Sequence, residues 1–366
     1  GMYYDNLEHL GYAVPESFGL KNFKNTADIE INILRWWQHR IFRNSGVSAD
    51  GTEIYLDTDW LTSLQSTAYS DRITWIENAY EFIDQPGEWY LNRSESRLYY
   101  KPDGSMDGKS ATLPVTEQLL VFEGTENITF DGVKFEDTSW LTPNEIGYND
   151  AQSGTYAQHN GVWGDVPGAI ETHAAKNITI TNSELRNLGI GGIRIGNGSS
   201  DCAITNSAIH DISSSGIFIG NNTGHNHGYC DPGTDVTGVV VRNNYITRTG
   251  LDIFGSSAIC ALYTSDTVID HNEVCYTTYT GISLGWGWDW KNAPCSGNNT
   301  VSNNYIHDTG KTIHDGGSFY SLGLQEGTKV FGNYLHHHSD GLYDKDAGLY
   351  TDEGSTGMEL YNNVVG

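Results

Sequence analysis

The second half of the chain repeats itself, and this constrains the fold more than any other feature. From about residue 127 a six-residue unit recurs: an aliphatic residue, one variable residue, two polar residues that are often Asn, one further residue, and a closing aliphatic residue. The copies read ITNSEL, ITNSAI, VRNNYI, IDHNEV, VSNNYI, VFGNYL and LYNNVV, and they close at Leu185, Ile209, Ile246, Val274, Ile306, Leu335 and Val365. Successive copies are 24, 37, 28, 32, 29 and 30 residues apart, and an earlier copy, FDGVKF, closes at Phe135.

A second short segment follows each unit. These segments are GIRIG at 192–196, GIFIG at 216–220, AICAL at 258–262, GISLG at 281–285, SFYSL at 318–322 and GLYTD at 348–352. Apolar residues alternate within them, which indicates half-buried strands. Two strands per period of roughly 24 to 30 residues, with no helical stretch, predict an all-β parallel solenoid over 117–366. We expect the Asn columns to stack at turns, where their amides satisfy backbone groups.

The remaining chain predicts a different kind of structure. Residues 25–116 are rich in aromatic and β-branched residues and include the hairpin-like stretch EWYLNRSESRLYYKPDG, so we expect a small β-sandwich-like domain there. The N-terminal segment 1–24 gives no clear signal. Two insertions, at 138–168 and 221–236, interrupt the repeats. Long loops on a regular solenoid tend to lie on one face and shape its binding site.

Charge and composition narrow the partners. The chain has 20 Lys and Arg against 46 Asp and Glu, a net charge of −26, which disfavours nucleic acid and anionic membranes. It has no apolar run long enough for a transmembrane helix. The 22 Tyr and 10 Trp, together with 43 Gly, fit a carbohydrate-active β protein. Five Cys without a C-x-x-C spacing leave at least one thiol without a partner within the chain, and nothing indicates an oligomeric state.

Strand parity predicts which side chains share a column in the second segment of each repeat. One column should point inward, with Ile193, Ile217, Ile259, Ile282, Phe319 and Leu349. The next should point outward, with Arg194, Phe218, Cys260, Ser283, Tyr320 and Tyr350. Two residues further on, the outward column reads Gly196, Gly220, Leu262, Gly285, Leu322 and Asp352. The outward residues therefore change from Gly to Tyr and Asp along the axis.

Three consecutive repeats depart from the regular pattern. GISLGWGWDW adds Trp286, Trp288 and Asp289; IHDGGSFYSLG adds His314, Asp315 and Tyr320; and AGLYTDEGST adds Tyr350, Asp352 and Glu353. Adjacent coils lie about 4.8 Å apart, so carboxylates on neighbouring coils can reach the roughly 5–9 Å separations of glycoside hydrolysis. Aromatic planes beside them suit the apolar faces of sugars. Ordinary turn chemistry also accounts for Asp before Gly-Gly and for TDEGS.

Four stretches together resemble a known group of enzymes. WIENAYEFIDQPGEWYLNRSESRLYYKPDG, YTGISLGWGWDW, DGGSFYSLGLQEGT and GLYTDEGS, in that order, resemble the secreted right-handed parallel β-helix glycoside hydrolases. The resemblance is to glycoside hydrolase family 141, which includes α-L-fucosidases and xylanases, and to the family 120 β-xylosidases. It implies a secreted, periplasmic or cell-surface bacterial-type enzyme. By motif it places the catalytic pair at Asp315 and Asp352, with Glu353 in reserve.

The beginning of the chain differs from the beginning of these enzymes. Such enzymes usually open with a Gly- and Pro-rich first coil and a short capping helix, and neither is found here, so we expect neighbouring segments or a partner to cover the open ends. Our substrate-binding candidates beside the catalytic pair are Trp286, Trp288, Asp289, His314, Tyr320, Glu326 and Tyr350. We predict no cofactor and no metal site, since no spacing requires the Ca²⁺ that an acidic solenoid can hold.

Two other functions are compatible with the sequence. One is a polysaccharide lyase or epimerase on the same scaffold, with Lys311, Lys329 or Lys345 as a base near the site. The other is a non-catalytic carbohydrate-binding or tailspike-like solenoid. We favour a glycoside hydrolase that acts on a polysaccharide or oligosaccharide through its pair of Asp residues.

Overall fold

The computed structural model describes residues 2–5, 9–56, 72–157, 163–220, 233–288, 291, 295–338 and 347–366. The chain forms two compact units. The first comprises residues 1–112, 141–150 and 157–162. The second comprises residues 113–140, 151–156 and 163–366. Within the described residues, no helix is long and apolar enough to cross a membrane.

Antiparallel strands build the first unit. Its strands are Met2–Asp5, His9–Ala13, Glu30–Arg35, Gln38–Val47, Glu53–Leu56, Trp75–Glu77, Trp89–Asn92 and Arg97–Tyr100, and the start of Tyr148–Gln152 pairs with the fourth of these. Short 3₁₀ turns occur at Glu16–Phe18, Leu20–Asn22 and Tyr80–Phe82, and one α-helical turn at Thr142–Glu145. Alternate residues of the strands face one buried cluster that includes Leu10, Ile31, Ile33, Phe42 and Ile54. The segment Trp89–Tyr100 forms the hairpin that the sequence predicts.

The second unit is a parallel β-helix in which each coil contributes one strand to each of three sheets. The first sheet contains Leu120–Glu123, Gly168–His173, Gly191–Gly196, Ile217–Ile219, Ile259–Ala261, Ile282–Leu284, Gly317–Ser321 and Ala347–Thr351. The second contains Glu126–Asp131, Lys176–Thr181, Ala203–Thr205, Val240–Arg242, Val268–Asp270, Thr300–Ser302, Leu324–Phe331 and Thr356–Tyr361. The third contains Lys134–Thr138, Glu184–Leu188, Ala208–Ile212, Tyr245–Thr249, Glu273–Cys275, Tyr305–His307, Tyr334–His336 and Val364–Val365.

Four shorter strands lie outside these three sheets. Val236–Thr237 pairs in parallel with Thr264–Ser265, and the strands Thr155–Ala157 and Trp163–Asp165 belong to the 138–168 insertion. The predicted all-β solenoid is therefore confirmed.

The inward column follows the predicted parity. Ile193 pairs with Ile217, which pairs with Ile259, and the series continues through Ile282, Phe319 and Leu349. All but Leu349 are at most 1% exposed. Side chains of like shape thus repeat at every coil, and their burial drives the stacking.

A ladder of buried amides runs beside this core. The side chain of Asn244 donates to Asn272, Asn272 to Asn304, Asn304 to Asn333, and Asn333 to Asn363, over 2.9–3.0 Å. Each Nδ2 also donates to a backbone oxygen of the preceding coil, and each Oδ1 from Asn272 onward also accepts the backbone N–H of the previous ladder Asn. The Asn column is therefore structural, as the sequence predicts.

The residue before each ladder position turns the chain with a positive φ. It is Asn243, His271, Asn303, Gly332 or Asn362, with φ between 50° and 70°. Asn tolerates this left-handed conformation better than most residues. In each Asn-Asn pair of the sequence, the first residue therefore turns the backbone, and the side chain of the second forms hydrogen bonds to the neighbouring coils.

The first unit contains a buried carboxyl group, that of Asp150, which no sequence pattern singles out. Asp150 is 2% exposed and accepts hydrogen bonds from the backbone N–H of His39 (3.1 Å) and the hydroxyl of Tyr148 (3.3 Å). Burial raises the pKa of Asp150 to about 7, because removal from water disfavours the charged form.

The ladder predicts a large cost for Asn304→Ala. The substitution removes the side-chain bonds to the backbone N–H of Asn272 and to the carbonyl of Ile269, and one of the two bonds to Asn333 Oδ1, where each buried group left unpaired costs about 1–3 kcal/mol. We expect the free energy of unfolding to fall by at least about 2 kcal/mol in urea titrations. Asn362→Gly is the control, since the residue is exposed and Gly332 fills the same position one coil earlier. Equal stability of the two variants would contradict the role of the ladder.

Asp150 predicts a pH-dependent stability. Between pH 4 and pH 7 the folded state retains a proton that the unfolded chain has lost, so stability falls as pH rises, by up to about 1.4 kcal/mol per unit. Asp150→Asn removes this loss. Its free energy of unfolding relative to the wild type should therefore increase from pH 4 to pH 7, while the exposed Asp266→Asn should show no such trend.

Candidate active site

The first sheet presents the predicted outward column. Arg194 pairs with Phe218, Phe218 with Cys260, and the series continues through Ser283, Tyr320 and Tyr350. At the N-terminal end, Arg194 is held between Asp165 (2.6 Å) and Glu171 (3.2 Å), and it also lies over the Phe218 ring. This end of the column is an internally paired charge cluster. The candidate site begins further along, where Tyr replaces Arg.

Tyr350 holds the first predicted carboxylate. Its hydroxyl donates to Oδ1 of Asp315 over 3.1 Å, from the next coil. Asp315 is half-buried and has a φ of 63°, and its backbone carbonyl accepts a hydrogen bond from the Tyr279 hydroxyl over 3.0 Å. Asp315 is therefore held in its left-handed turn by one hydrogen bond to its side chain and one to its backbone.

Tyr320 holds the second carboxylate in the reverse direction. It lies on the coil of Asp315, yet its hydroxyl donates to Oδ2 of Asp352 on the following coil over 2.5 Å. Burial raises the pKa of Tyr320, and the neighbouring Tyr279 and Asp352 raise it further, so the hydroxyl remains a donor. The Tyr320 and Tyr350 rings meet edge to face, with centroids 5.4 Å apart. The two carboxylates are thus tied crosswise, each to the tyrosine of the other coil.

The double glycine after Asp315 is required by close packing. A Cβ on Gly316 would lie 2.6 Å from Thr280 Oγ1 and 2.7 Å from Tyr279 Cε2. A Cβ on Gly317 would lie 2.5 Å from the carbonyl oxygen of Ala347. Any larger residue would displace the turn that carries Asp315, which explains the sequence Asp-Gly-Gly.

An aromatic cluster covers the sheet around this pair. Trp286 is 3% exposed and packs with Phe218, Tyr263, Tyr320 and Leu322. Its indole Nε1 is buried with no hydrogen-bond partner among the described residues. Trp288 meets Trp286 edge to face at 5.5 Å, and its carbonyl oxygen lies 3.0 Å from the position of a Cβ on Gly354. The turn after Asp352 therefore packs directly against this Trp pair.

Residues of the first insertion reach the same face. The Ser153 hydroxyl lies 3.1 Å from that of Ser257 and 3.4 Å from that of Ser283. Gln152 is hydrogen-bonded to Tyr320. Gln152 and Tyr279 were not among the sequence candidates, although Tyr279 opens the stretch YTGISLGWGWDW. The position of Gln152 within an insertion was the available signal.

The remaining candidates vary in position. Glu353 is exposed beside Asp352, and His314 is half-buried beside Asp315. Glu326 is exposed on strand Leu324–Phe331 of the second sheet, away from the first sheet that carries Tyr320 and Tyr350. Asp289 lies outside the described residues.

The structure also places the candidate lyase bases. Lys311 pairs with Asp308 at 3.1 Å, and Lys329 lies on the second sheet. Lys345 is outside the described residues. No described Lys or Arg is paired with Asp315 or Asp352.

Comparison with known protein families identifies the class of this protein. The family model for the right-handed β-helix region matches residues 168–365, which is more than half of the chain, and the chain belongs to that family. The predicted right-handed solenoid is thereby confirmed. No curated protein matches the chain.

A particular solved structure is similar over the full chain. It is described as a glycoside hydrolase, is 24% identical, and superimposes with a TM-score of 0.82 over all of this chain and 71% of its own. XylC in complex with xylose matches at 13% identity and a TM-score of 0.42, over 100% of this chain and 63% of its own. An alginate lyase from Paenibacillus sp. str. FPU-7 matches at 16% identity and 0.35, over 63% of this chain and 74% of its own. The first likeness shows a shared fold; the scores of the other two are too low for residue positions to be compared.

The double glycine gives a test of the site's geometry. Gly316→Ala should lower the free energy of unfolding by about 1–3 kcal/mol, because the new methyl group meets Thr280 and Tyr279. Gly46→Ala, where the nearest atom would be 3.4 Å away, should cost less. Thermal unfolding of both variants measures this, and a Gly316→Ala protein as stable as the wild type would contradict the packing.

Proposed function

We propose that the protein is a glycoside hydrolase whose catalytic pair is Asp315 and Asp352. The observation that carries the proposal is the crosswise arrangement, in which Tyr350 donates to Asp315 and Tyr320 donates to Asp352. Two carboxylates on neighbouring coils, each oriented by a hydroxyl from the other coil, meet the requirement for a general acid and a nucleophile or base. The full-length similarity to a glycoside hydrolase supports the same reaction class.

We assign different roles to the two carboxylates. Both carboxyl groups accept a tyrosine hydroxyl, and the lengths of the two bonds differ. The shorter bond, from buried Tyr320, orients Asp352 more tightly, as a nucleophile or base requires. Asp315, with the longer bond from half-buried Tyr350, then protonates the departing glycosidic oxygen. Glu353 is exposed next to Asp352 and remains the reserve candidate.

We propose a neutral glycoside as substrate, with α-L-fucosides and xylosides as first choices. The negative net charge disfavours polyanionic chains, and the half-buried rings of Trp288 and Tyr350 beside the pair offer flat apolar faces for sugar rings. A polysaccharide outside the cell is the natural source of such a substrate, in keeping with a secreted or cell-surface location.

The first test is hydrolysis by the pair variants. Activity is measured on nitrophenyl α-L-fucoside and β-xyloside, on xylan and on rhamnogalacturonan. On xylan and rhamnogalacturonan, Asp315→Asn and Asp352→Asn should each lower kcat by roughly 10²–10⁴-fold, since each removes one partner of the acid–base chemistry. On the nitrophenyl glycosides, whose leaving group needs little protonation, only Asp352→Asn should show this loss. Asp266→Asn, an exposed residue in a similar left-handed turn, should retain wild-type activity.

The outcomes separate the candidate functions. Full activity of either pair variant on the polysaccharides would reject the assignment. A product with a new ultraviolet-absorbing double bond would identify a lyase, and saturable sugar binding without turnover would identify a binding protein.

The roles have their own test. Asp315→Gly should retain most of its activity on aryl glycosides whose leaving group needs no protonation, because only acid catalysis is lost. Asp352→Gly should be inactive on all substrates. If the two patterns are exchanged, so are the two roles.

A further inference from the structure

A second cluster of reactive side chains lies on the third sheet, on a different face of the solenoid from Asp315 and Asp352. It consists of Glu273, Cys275 and His307. A carboxylate oxygen, the thiol sulfur and a ring nitrogen of these residues all lie within 4.8 Å of one another. Within the described part of the chain, no other group of three potential metal ligands comes so close.

The strand register explains why these side chains meet. Glu273 and Cys275 are two residues apart on strand Glu273–Cys275 and therefore point to the same side. His307 lies on the adjacent strand, directly beside Cys275. The three donors thus belong to two neighbouring coils and are set by rigid backbone and not by a loop.

The orientation of His307 suits metal binding. Its Nδ1 lies 2.8 Å from a carboxylate oxygen of Asp308, which in turn pairs with Lys311 at 3.1 Å. Because a carboxylate accepts, Nδ1 carries the proton, and the lone pair of Nε2 faces Glu273 Oε1 at 3.4 Å. Metal-bound imidazoles in proteins are typically held by a carboxylate in this way on their other nitrogen.

We propose that Glu273, Cys275 and His307 bind a Zn²⁺ ion that links two coils of the third sheet. Thiolate and imidazole ligands favour zinc over calcium or magnesium. Tetrahedral bond lengths place zinc ligands about 3.3–3.8 Å apart, so small shifts of these side chains from their present separations close the site. On binding, Cys275 loses its thiol proton to solvent as the metal–sulfur bond forms, and water completes the coordination at the half-exposed Glu273 side.

The site is independent of the proposed hydrolase function. No ligand spacing in the sequence indicates this site, since Glu273 and His307 are 34 residues apart and the pattern of a single repeat does not show them together. The proposal of a zinc site replaces the prediction, made from the sequence, that the protein has no metal site.

Cobalt provides the decisive probe, because Co²⁺ substitutes for Zn²⁺ and a thiolate ligand produces a distinct sulfur-to-cobalt charge-transfer band. The full chain, stripped with a chelator, is titrated with Co²⁺. We expect one equivalent to produce this band together with the visible bands of tetrahedral cobalt, and Zn²⁺ to displace them. The run from His336 to His338 lacks a sulfur ligand and would not produce the charge-transfer band.

Matched variants locate the site. Cys275→Ser should abolish the band, whereas Cys202→Ser, at another free buried thiol, should leave it unchanged. Asp308→Asn should weaken Co²⁺ binding by about 10–100-fold while keeping the band, because it releases the imidazole and not the sulfur. Glu273→Gln, at a half-exposed position, tests the third ligand without disturbing the core and should lower the affinity at least about tenfold.

The result that overturns the proposal is equally direct. Absence of a charge-transfer band in the wild type, or its persistence in Cys275→Ser, would exclude this site. Should Cys275→Ser fail to fold, His307→Gln replaces it, and an unchanged affinity in that variant would also overturn the proposal.

Discussion

In-register parallel stacking of the coils is the constraint on which the rest of this structure depends. A strand in one coil must pair with its equivalent in the next, so every position repeats about 4.8 Å along the axis. Aliphatic residues at Ile217, Ile259 and Ile282 can then share one dry interior. A polar residue survives inside only if its equivalents can bond to one another, which the ladder from Asn244 to Asn363 achieves.

The same stacking determines where chemistry can arise. Side chains that point outward also form columns, so a change of residue type in two adjacent coils creates a pair at a defined spacing. Tyr320 and Tyr350 are such a pair in the outward column, and Asp352 follows two residues after the second. The third sheet shows the same principle with Cys275 beside His307. Function on this fold is therefore a local departure from a repeating column.

The sequence predicts which side chains stack in a column along the solenoid. It does not predict the contacts that side chains make between turns. Parity correctly placed Arg194, Phe218 and Tyr320 in one outward row, because a strand alternates whatever its surroundings. The crosswise bonds of Tyr320 and Tyr350 depend on how the Asp315 and Asp352 turns bend, which no periodicity reveals. Gln152 reaches Tyr320 from an insertion, and its path depends on tertiary packing.

Turn chemistry and catalytic chemistry are not competing explanations for Asp315. Left-handed turns occur at the corners of every coil and are usually filled by Asn or Gly, as at Asn243, Asn303 and Gly332. Asp shares the tolerance of Asn for this conformation and adds a carboxylate. At Asp315 the backbone satisfies the turn while the side chain faces Tyr350. A solenoid can therefore acquire a reactive carboxylate by exchanging Asn for Asp at a corner, with the backbone path unchanged.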